Sequence, residues 1–298
     1  MSPYDLDKFS YDVILVTVTY GRSQVLRQLI QEIGISTDKI LLWFEAGSLG
    51  ENNYDMEIKL NDSSEPYTEF YVHDIDKIPI KFTLEESGEY MCFEEWFCMN
   101  EYRLDVERGF DVIDIGMNVG VAVLYYARQQ NVYNVYGFEP FTKTYKKAAR
   151  NINMNLEIKE KVEMFNIALS DHDSEEQYDY IDEYPGGMSL LNPQATDDSL
   201  RKSIIKVCEA SRILEPIISK TIRNNRALLM KIDCEGSEYA ILENLKQNHM
   251  INIPHYYIIE THAGRHNEAV DILRRNGYVV FSRAGSELGM IFASKDSK

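Results

Sequence analysis

The 298-residue chain predicts an α/β fold, a mostly parallel sheet covered by helices on both faces, and three observations carry that expectation. From Asp111 onward, short apolar runs alternate with stretches whose apolar residues recur at helical spacing, the pattern of parallel strands joined by helical crossovers. The first run stops at a glycine turn, DIGMNVG (114–120), that opens into a helix-like segment, a standard place to hold a nucleotide-containing ligand. The last two runs, YVVFSR (278–283) and GMIFAS (289–294), are separated by AGSEL, short enough for a hairpin and hence for an antiparallel final strand.

Taken in order, residues 11–20 (YDVILVTVTY) predict a buried strand. Gly21 to Gly34 predict a helix with Val25, Leu26, Leu29, Ile30 and Ile33 on one face, and 39–44 (KILLWF) a second strand. This is a small N-terminal β-α-β unit of its own. Its turn, TYGRSQ, has one glycine and no acid, which points to a structural or homo-oligomerising role over nucleotide binding. Residues 45–84 carry polar turns around NDSSEP and short alternating strands near 56–60 and 68–82, and Glu85 to Leu104 form an acidic, aromatic helical region. A boundary is therefore expected between an N-terminal part, 1–84, and a main domain, 85–298.

In the main domain, strands are expected at 111–116, 132–138, 162–168, 227–233 and 255–262, and helices at 119–130, 142–154, 237–248 and 266–276. With the closing hairpin these make seven strands. The interval 171–226 breaks the rhythm. Its first part is rich in acids, tyrosines and turn residues, too irregular for a core element and too long for a plain connection, so a substrate-facing segment centred on Gly186, Gly187, Met188 and Ser189 is expected. IKVCEA (205–210) and SRILEPII add a strand and a short helix.

The glycine turn carries chemical information. A dinucleotide-binding turn reads G-x-G-x-x-G and aims backbone N–H groups at a pyrophosphate; here Asp114 stands at the first glycine position. A carboxylate there repels a pyrophosphate and suits a cation, and S-adenosylmethionine carries an ammonium and a sulfonium and no phosphate. A nicotinamide cofactor is disfavoured on the same ground. The second run, VYNVYGF (132–138), ends in Glu139 and Pro140, placing an acid where ribose hydroxyls are bound in a β-α-β unit. The third run, VEMFNIALSD (162–171), ends in small and polar residues able to border an adenine ring, although Asn166 and Ser170 serve equally as turn formers.

With these blocks the chain resembles the FkbM-type family of S-adenosylmethionine-dependent methyltransferases, which have a Rossmann-like class I methyltransferase fold. The resemblance rests on DIGMNVG (114–120), FEP (138–140), NIALSD (166–171), KIDCEGSEYAILENL (231–245) and IETH (259–262), in the family's order, across roughly residues 85–295. It implies a seven-stranded, mostly parallel sheet with an antiparallel last strand, and a cofactor site at Asp114, Gly116, Asn118, Gly120, Glu139, Pro140, Asn166 and Ala168. It also implies methylation of a hydroxyl, often on a sugar of a glycan, glycolipid or antibiotic.

The chemistry belongs at the carboxyl ends of the strands, where open α/β sheets place their ligands. Asp233 with Glu235, and Glu260 with His262, are polar pairs at i and i+2, which point the same way in an extended strand. Asp233, Glu260 and His262 are the expected catalytic residues, whereas Glu235 and Glu238 also suit the N-terminus of the helix that follows. A hydroxyl is a poor nucleophile at neutral pH. It needs a general base or a divalent metal such as magnesium or manganese, and Asp233, Glu260 and His262 are chemically able to supply either. The remaining histidines, His73, His172, His249, His255 and His266, share no recurrent spacing and are assigned to surface or packing.

Composition narrows the partners. A net charge of −17, from 31 basic and 48 acidic side chains, lacks the footprint of a nucleic-acid binder. Cys92, Cys98, Cys208 and Cys234 show neither a C-x-x-C pair nor zinc spacing. With no signal-peptide pattern and no apolar stretch of bilayer length, a cytoplasmic protein acting on a small-molecule or glycan acceptor is expected. A non-catalytic cofactor-binding scaffold is the alternative function.

Overall fold

In a computed structural model of the chain, the described residues are 13–17, 22–42, 54–73, 77–85, 87–98, 102, 104, 106, 108–180, 201–285 and 288–295. They fall into two compact units, one before Leu104 and one from Leu104 onward. In the first, β1 (Ile14–Val16) and β2 (Ile40–Leu42) pair in parallel, with α1 (Arg22–Arg27) and a π-helical turn, Gln28–Glu32, between them. This is the expected β-α-β unit with shorter strands; its glycine turn lies outside the described residues. A separate antiparallel sheet follows, β3 (Tyr54–Leu60), β4 (Pro66–Val72) and β5 (Ile80–Leu84), and then α2 (Ser87–Phe93), continued by a π-helical turn, Glu94–Cys98. This helical segment packs within the first unit, where Phe93 lies 4.4 Å from Phe70 and 5.8 Å from Phe82 between ring centres.

The second unit is built on β6 (Phe110–Ile115), α3 (Val121–Ala127), β7 (Val132–Phe138), α4 (Thr142–Asn153), α5 (Leu156–Lys159), β8 (Val162–Phe165) and β9 (Ala168–Ser170). It continues through β10 (Ser174–Tyr180), β11 (Arg201–Glu209), α6 (Ala210–Arg223), β12 (Ala227–Ile232), α7 (Glu238–Gln247), β13 (Tyr256–Thr261), α8 (His266–Arg275), β14 (Val279–Ala284) and β15 (Gly289–Ser294). Its main sheet has seven strands in the order β14-β15-β13-β12-β6-β7-β8, and only β15 runs antiparallel to its neighbours. This is the class I methyltransferase fold. Strands β6 and β12 lie at its centre with every residue buried, as expected of parallel strands covered on both faces. The covering helices are amphipathic: α4 buries Thr144, Ala148, Asn151 and Ile152, and α6 buries Leu214, Ile217, Ile218 and Thr221, each set at helical spacing.

The structure departs from the expected elements in two places. The run at 162–168 is two strands: β8 ends at Phe165, and β9 leaves the main sheet to pair in parallel with β11. Asn166 causes the break, because its Nδ2 donates to the carbonyls of Glu139 (2.8 Å) and Pro140 (2.9 Å) and its Oδ1 accepts the Thr142 hydroxyl (2.9 Å), holding the chain in a turn. The interval after 171 is also more regular than its composition suggests. Ser174–Tyr180 is a strand, antiparallel to Arg201–Glu209, and the helix after it is 14 residues long. Behind the hairpin, Ile205 and Val207 bury against Phe141 and Ala168 with Tyr178 at the margin, so β11 supplies the apolar inward face while β10 faces inward with Ser174, Glu176 and Tyr178. Gly186, Gly187, Met188 and Ser189 lie outside the described residues.

At the amino ends of the strands, Asp111 is fully buried and acts as a hub. Its Oδ1 accepts from Asn134 N (3.1 Å), Asn134 Nδ2 (2.8 Å) and Arg226 (3.1 Å), and its Oδ2 from the Thr221 hydroxyl (2.8 Å). One side chain thereby ties β6 to β7, α6 and the approach to β12. Replacing Asp111 with alanine strands several donors at once and should cost about 3 kcal/mol in chemical denaturation.

Candidate active site

The carboxyl ends of β6, β7, β12 and β13 share one edge of the main sheet, and the sequence-predicted residues collect there. The turn after β6 is held by backbone bonds, Gly116 N and Met117 N both donating to Phe138 O (3.0 and 2.9 Å) and Gly120 N to Met117 O (2.9 Å). Gly116 and Gly120 have φ of +86°, and Asn118 has φ of +50°, a left-handed conformation that asparagine tolerates better than most residues. At Gly116 there is a second constraint. A Cβ would stand 1.7 Å from the carbonyl oxygen of Asp233, so β6 and the end of β12 meet only because no side chain intervenes.

Glu139 braces the same turn from the tip of β7. Its Oε2 accepts Asn118 N–H (3.1 Å) and its Oε1 accepts Phe141 N–H (3.0 Å), which leaves each oxygen capacity for a further donor. Burial pushes its pKa up to about 7, against the pull of these two backbone donors. Pro140 follows it, Asn166 ties down both residues from below, and Ala168 is buried in the core under the β10–β11 hairpin.

Asp114 is fully buried at the last turn of β6, and the structure gives it a partner: Lys231, its register neighbour on β12. Lys231 Nζ lies 2.9 Å from Asp114 Oδ1 and 3.3 Å from Asp233 Oδ2, and donates to Gly116 O at 3.0 Å. Burial works against the ammonium, but the two aspartates outweigh it and hold Lys231 firmly charged. Both Asp114 oxygens are buried without a hydrogen-bond partner, so the Lys231 contact at Oδ1 is an ion pair and not an aligned hydrogen bond.

The second cluster gathers Asp233, Glu235 and His262, whose ligand-type atoms all lie within 4.8 Å of one another. Glu260 is not one of them, which changes the expected trio. Glu260 stays in the ladder, paired with Met290 on β15, whereas His262 lies past the end of β13, where Ala263 (φ +58°) and Gly264 (φ +67°) turn the chain. Glu235 arrives by a turn as well: its φ of +55° is costly for a glutamate, by about 1 kcal/mol or more, and such strain collects at functional sites.

Glu238 organises the cluster. Fully buried at the first position of α7, its Oε1 accepts from Cys234 N (3.3 Å) and Gly236 N (3.0 Å) and lies 2.8 Å from His262 Nδ1. The other ring nitrogen, Nε2, then faces Glu235 Oε2 at 3.4 Å, and Tyr239 donates its hydroxyl to His262 O at 2.9 Å. Burial alone would lower the pKa of His262, but the Glu238 hydrogen bond and the neighbouring carboxylates raise it to about 9. Glu235 moves the other way from its ordinary value. Burial raises it to about 7, with His262 opposing and Asp233, Glu260 and Glu238 assisting.

A class I sheet with a glycine turn after β6 and a carboxylate–imidazole cluster at the ends of β12 and β13 defines a methyltransferase-like protein. Comparison with known proteins makes the class specific: residues 114–280 match the methyltransferase FkbM domain, and the chain belongs to that family. It is 28% identical over 210 residues to the AMB antimetabolite synthetase AmbE of Pseudomonas aeruginosa, covering 58% of this chain and 10% of that protein. Among solved structures it is similar to methyltransferase FkbM from Methylobacillus flagellatus (14% identity, 63% of this chain and 44% of that one, TM-score 0.40). It is also similar to an O-methyltransferase family protein from Burkholderia thailandensis (12% identity, 70% and 58%, TM-score 0.40). The chain thus spans about a tenth of the synthetase and less than half of the Methylobacillus protein.

The close approach at Gly116 can be isolated from its backbone conformation. Gly277 has nearly the same φ, +85°, with nothing within 4 Å of a would-be Cβ. Gly277→Ala should cost about 1 kcal/mol, whereas Gly116→Ala, which must also part β6 from β12, should cost about 3 kcal/mol or more in thermal unfolding. Equal losses would mean that the crowding at Asp233 is absorbed without consequence.

Proposed function

We propose that the chain transfers a methyl group from S-adenosylmethionine to a hydroxyl oxygen, the acceptor being a sugar of a glycan, glycolipid or other glycosylated metabolite. The observation that carries this reading is the convergence of Asp233, Glu235 and His262 beside the glycine turn. The sugar class rests on the family resemblance.

The turn suits this cofactor by charge. Asp114 and Asp233 flank one cation, Lys231, and Glu139 adds a further buried carboxyl group at the next strand end, an excess of acid that favours a sulfonium and an ammonium while opposing a pyrophosphate. Asp114, Gly116, Asn118 and Gly120 would hold the amino-acid end, Glu139 the ribose hydroxyls, and Pro140, Asn166 and Ala168 the border of the adenine. When bound, the cofactor supplies an electrophilic methyl and a neutral thioether leaving group.

The residues of the second cluster prepare the acceptor. With its pKa near 9, His262 is an imidazolium at neutral pH and has no lone pair to offer, so the base role expected of it passes to Glu235. Glu235 takes the hydroxyl proton as the oxygen attacks, and its pKa of about 7 matches that task. His262, held by Glu238, fixes Glu235, and Asp233 flanks it. An acceptor-facing role for the segment around Gly186 and Gly187 belongs to this proposal on the composition of that stretch alone.

A second reading, a divalent cation such as magnesium or manganese held by Asp233, Glu235 and His262, is favoured by one feature. A histidine that gives one ring nitrogen to a carboxylate and turns the other toward oxygen ligands is the usual arrangement at metal sites. Glu260, named as a ligand from sequence, takes no place in this donor set.

Two measurements test the assignment. If ribose hydroxyls donate to the Glu139 carboxylate, binding below its pKa of about 7 must first release a proton. Cofactor affinity measured by calorimetry should therefore fall as pH drops below about 7, approaching tenfold per unit, and Glu139→Gln should abolish that dependence. For the base, Glu235→Gln should lower kcat by about 10²–10⁴ and remove the acid limb of kcat/KM, while a chelator leaves the wild-type rate unchanged in a methyl-release assay over candidate sugars. Loss of activity on chelation with recovery on adding manganese would replace the base by the metal reading. Cofactor binding without turnover of any acceptor would favour the scaffold.

A further inference from the structure

We propose that Lys231 is a positioning residue that couples the cofactor turn to the acceptor cluster, sharing one ammonium between Asp114 and Asp233. The proposal rests on the methyl-transfer reading for the roles of those two acids. Its geometry stands apart from that reading. Lys231 Nζ donates a hydrogen bond to Gly116 O at 3.0 Å and forms ion pairs with Asp114 Oδ1 at 2.9 Å and Asp233 Oδ2 at 3.3 Å. Only 3% of the side chain is exposed, so water does not substitute for any of them.

The three acceptors belong to different parts of the site. Asp114 and Gly116 flank the cofactor turn at the end of β6, and Asp233 stands at the end of β12 in the cluster with Glu235 and His262. Lys231 reaches both because it faces Asp114 across the β6–β12 ladder and precedes by two residues Asp233, the first residue after β12. A guanidinium would spread the same charge over a planar and wider group, so the compact ammonium suits a position shared by three oxygens.

Coupling follows from competition for one charge. A cationic ligand near Asp114 shares that carboxylate with Lys231, and the ammonium then bears more strongly on Asp233. Conversely, weakening the Asp233 contact drives Lys231 toward Asp114, where it opposes a cation. The cofactor side and the acceptor side therefore sense each other through this side chain.

The test is a mutant cycle read in cofactor affinity, using the full chain and S-adenosylmethionine in calorimetry. Asp233→Asn should weaken cofactor binding by about fivefold in the wild-type background, and by less than about twofold in a Lys231→Met background. Lys231→Met should also lower kcat by at least about a hundredfold, and the double variant Lys231→Met/Asp114→Asn should regain thermal stability without regaining kcat, since Gly116 O and Asp233 still lack their anchor. That double variant carries the test if Lys231→Met alone does not fold. Equal effects of Asp233→Asn in both backgrounds, or a kcat restored together with stability in the double variant, overturns the proposal and leaves Lys231 as neutralising filler. Wild-type protein that binds the cofactor but methylates no acceptor overturns the methyl-transfer reading alone, because the coupling is measured in affinity.

Discussion

The ion pair between Lys231 and Asp114 is the interaction on which the site depends. It lies between the two central strands, at the only cross-strand position of β6 and β12 where two charged side chains face each other. Taking two ions out of water costs several kcal/mol each, and a well-packed hydrophobic pair of similar volume is often as stable or more so. The pair is therefore a poor device for holding a sheet together and a good one for fixing where charge stands. It sets Asp114 under the glycine turn and gives Asp233 a counter-charge at a second distance. With Gly116 admitting the carbonyl of Asp233 into van der Waals range, it also fixes the separation of the two strand ends.

Much of this fold was legible in the sequence because burial on both faces leaves a plain signal. Strands β6, β7, β12 and β13 stand within a residue or so of their expected limits, since continuous apolar runs that stop at glycine, proline or acid admit few alternatives. Of the β10–β11 hairpin, β11 was legible in IKVCEA but β10 was not. Its inward face is half-buried at Ser174, Glu176 and Tyr178, so polar side chains occupy positions that periodicity arguments reserve for apolar ones. The break at Asn166 was hidden for another reason. It depends on side-chain bonds to Glu139 and Pro140, 27 and 26 residues earlier, which no local pattern encodes.

The site shows the same division. Asp114, Glu139, Asp233 and His262 could be named because each ends a strand, and strand ends are visible. Their relations were not. The i, i+2 rule drew Glu260 toward His262 because it assumed that β13 continues through His262, whereas the strand stops at Thr261 and left-handed residues swing the ring toward Glu235 and Glu238. Glu238 suited a helix N-terminus and does occupy one, yet the same carboxylate also orients the histidine. Lys231 had a signal that went unused: a lone charge in ALLMKI, otherwise apolar, must find a buried partner, and the nearest strand end with an acid is that of β6.

Charge also bears on what the site can accept. Asp114, Glu139, Asp233, Glu235, Glu238 and Glu260 stand against Lys231 and His262, and the chain as a whole carries −17. Such a field favours the approach of a cation and opposes an anion within about a Debye length. Under the methyl-transfer reading, loss of the methyl turns the sulfonium into a neutral thioether, so the same acids that favour the cofactor hold its product less tightly. They equally disfavour an acceptor bearing phosphate or sulfate close to the reacting oxygen. On the same reading the acceptor that fits is an uncharged hydroxyl compound, whose proton would pass to Glu235. On that reading the acids would serve twice, drawing the cationic cofactor and excluding anionic competitors, while burial, with the neighbouring carboxylates assisting, raises the pKa of Glu235 to about 7.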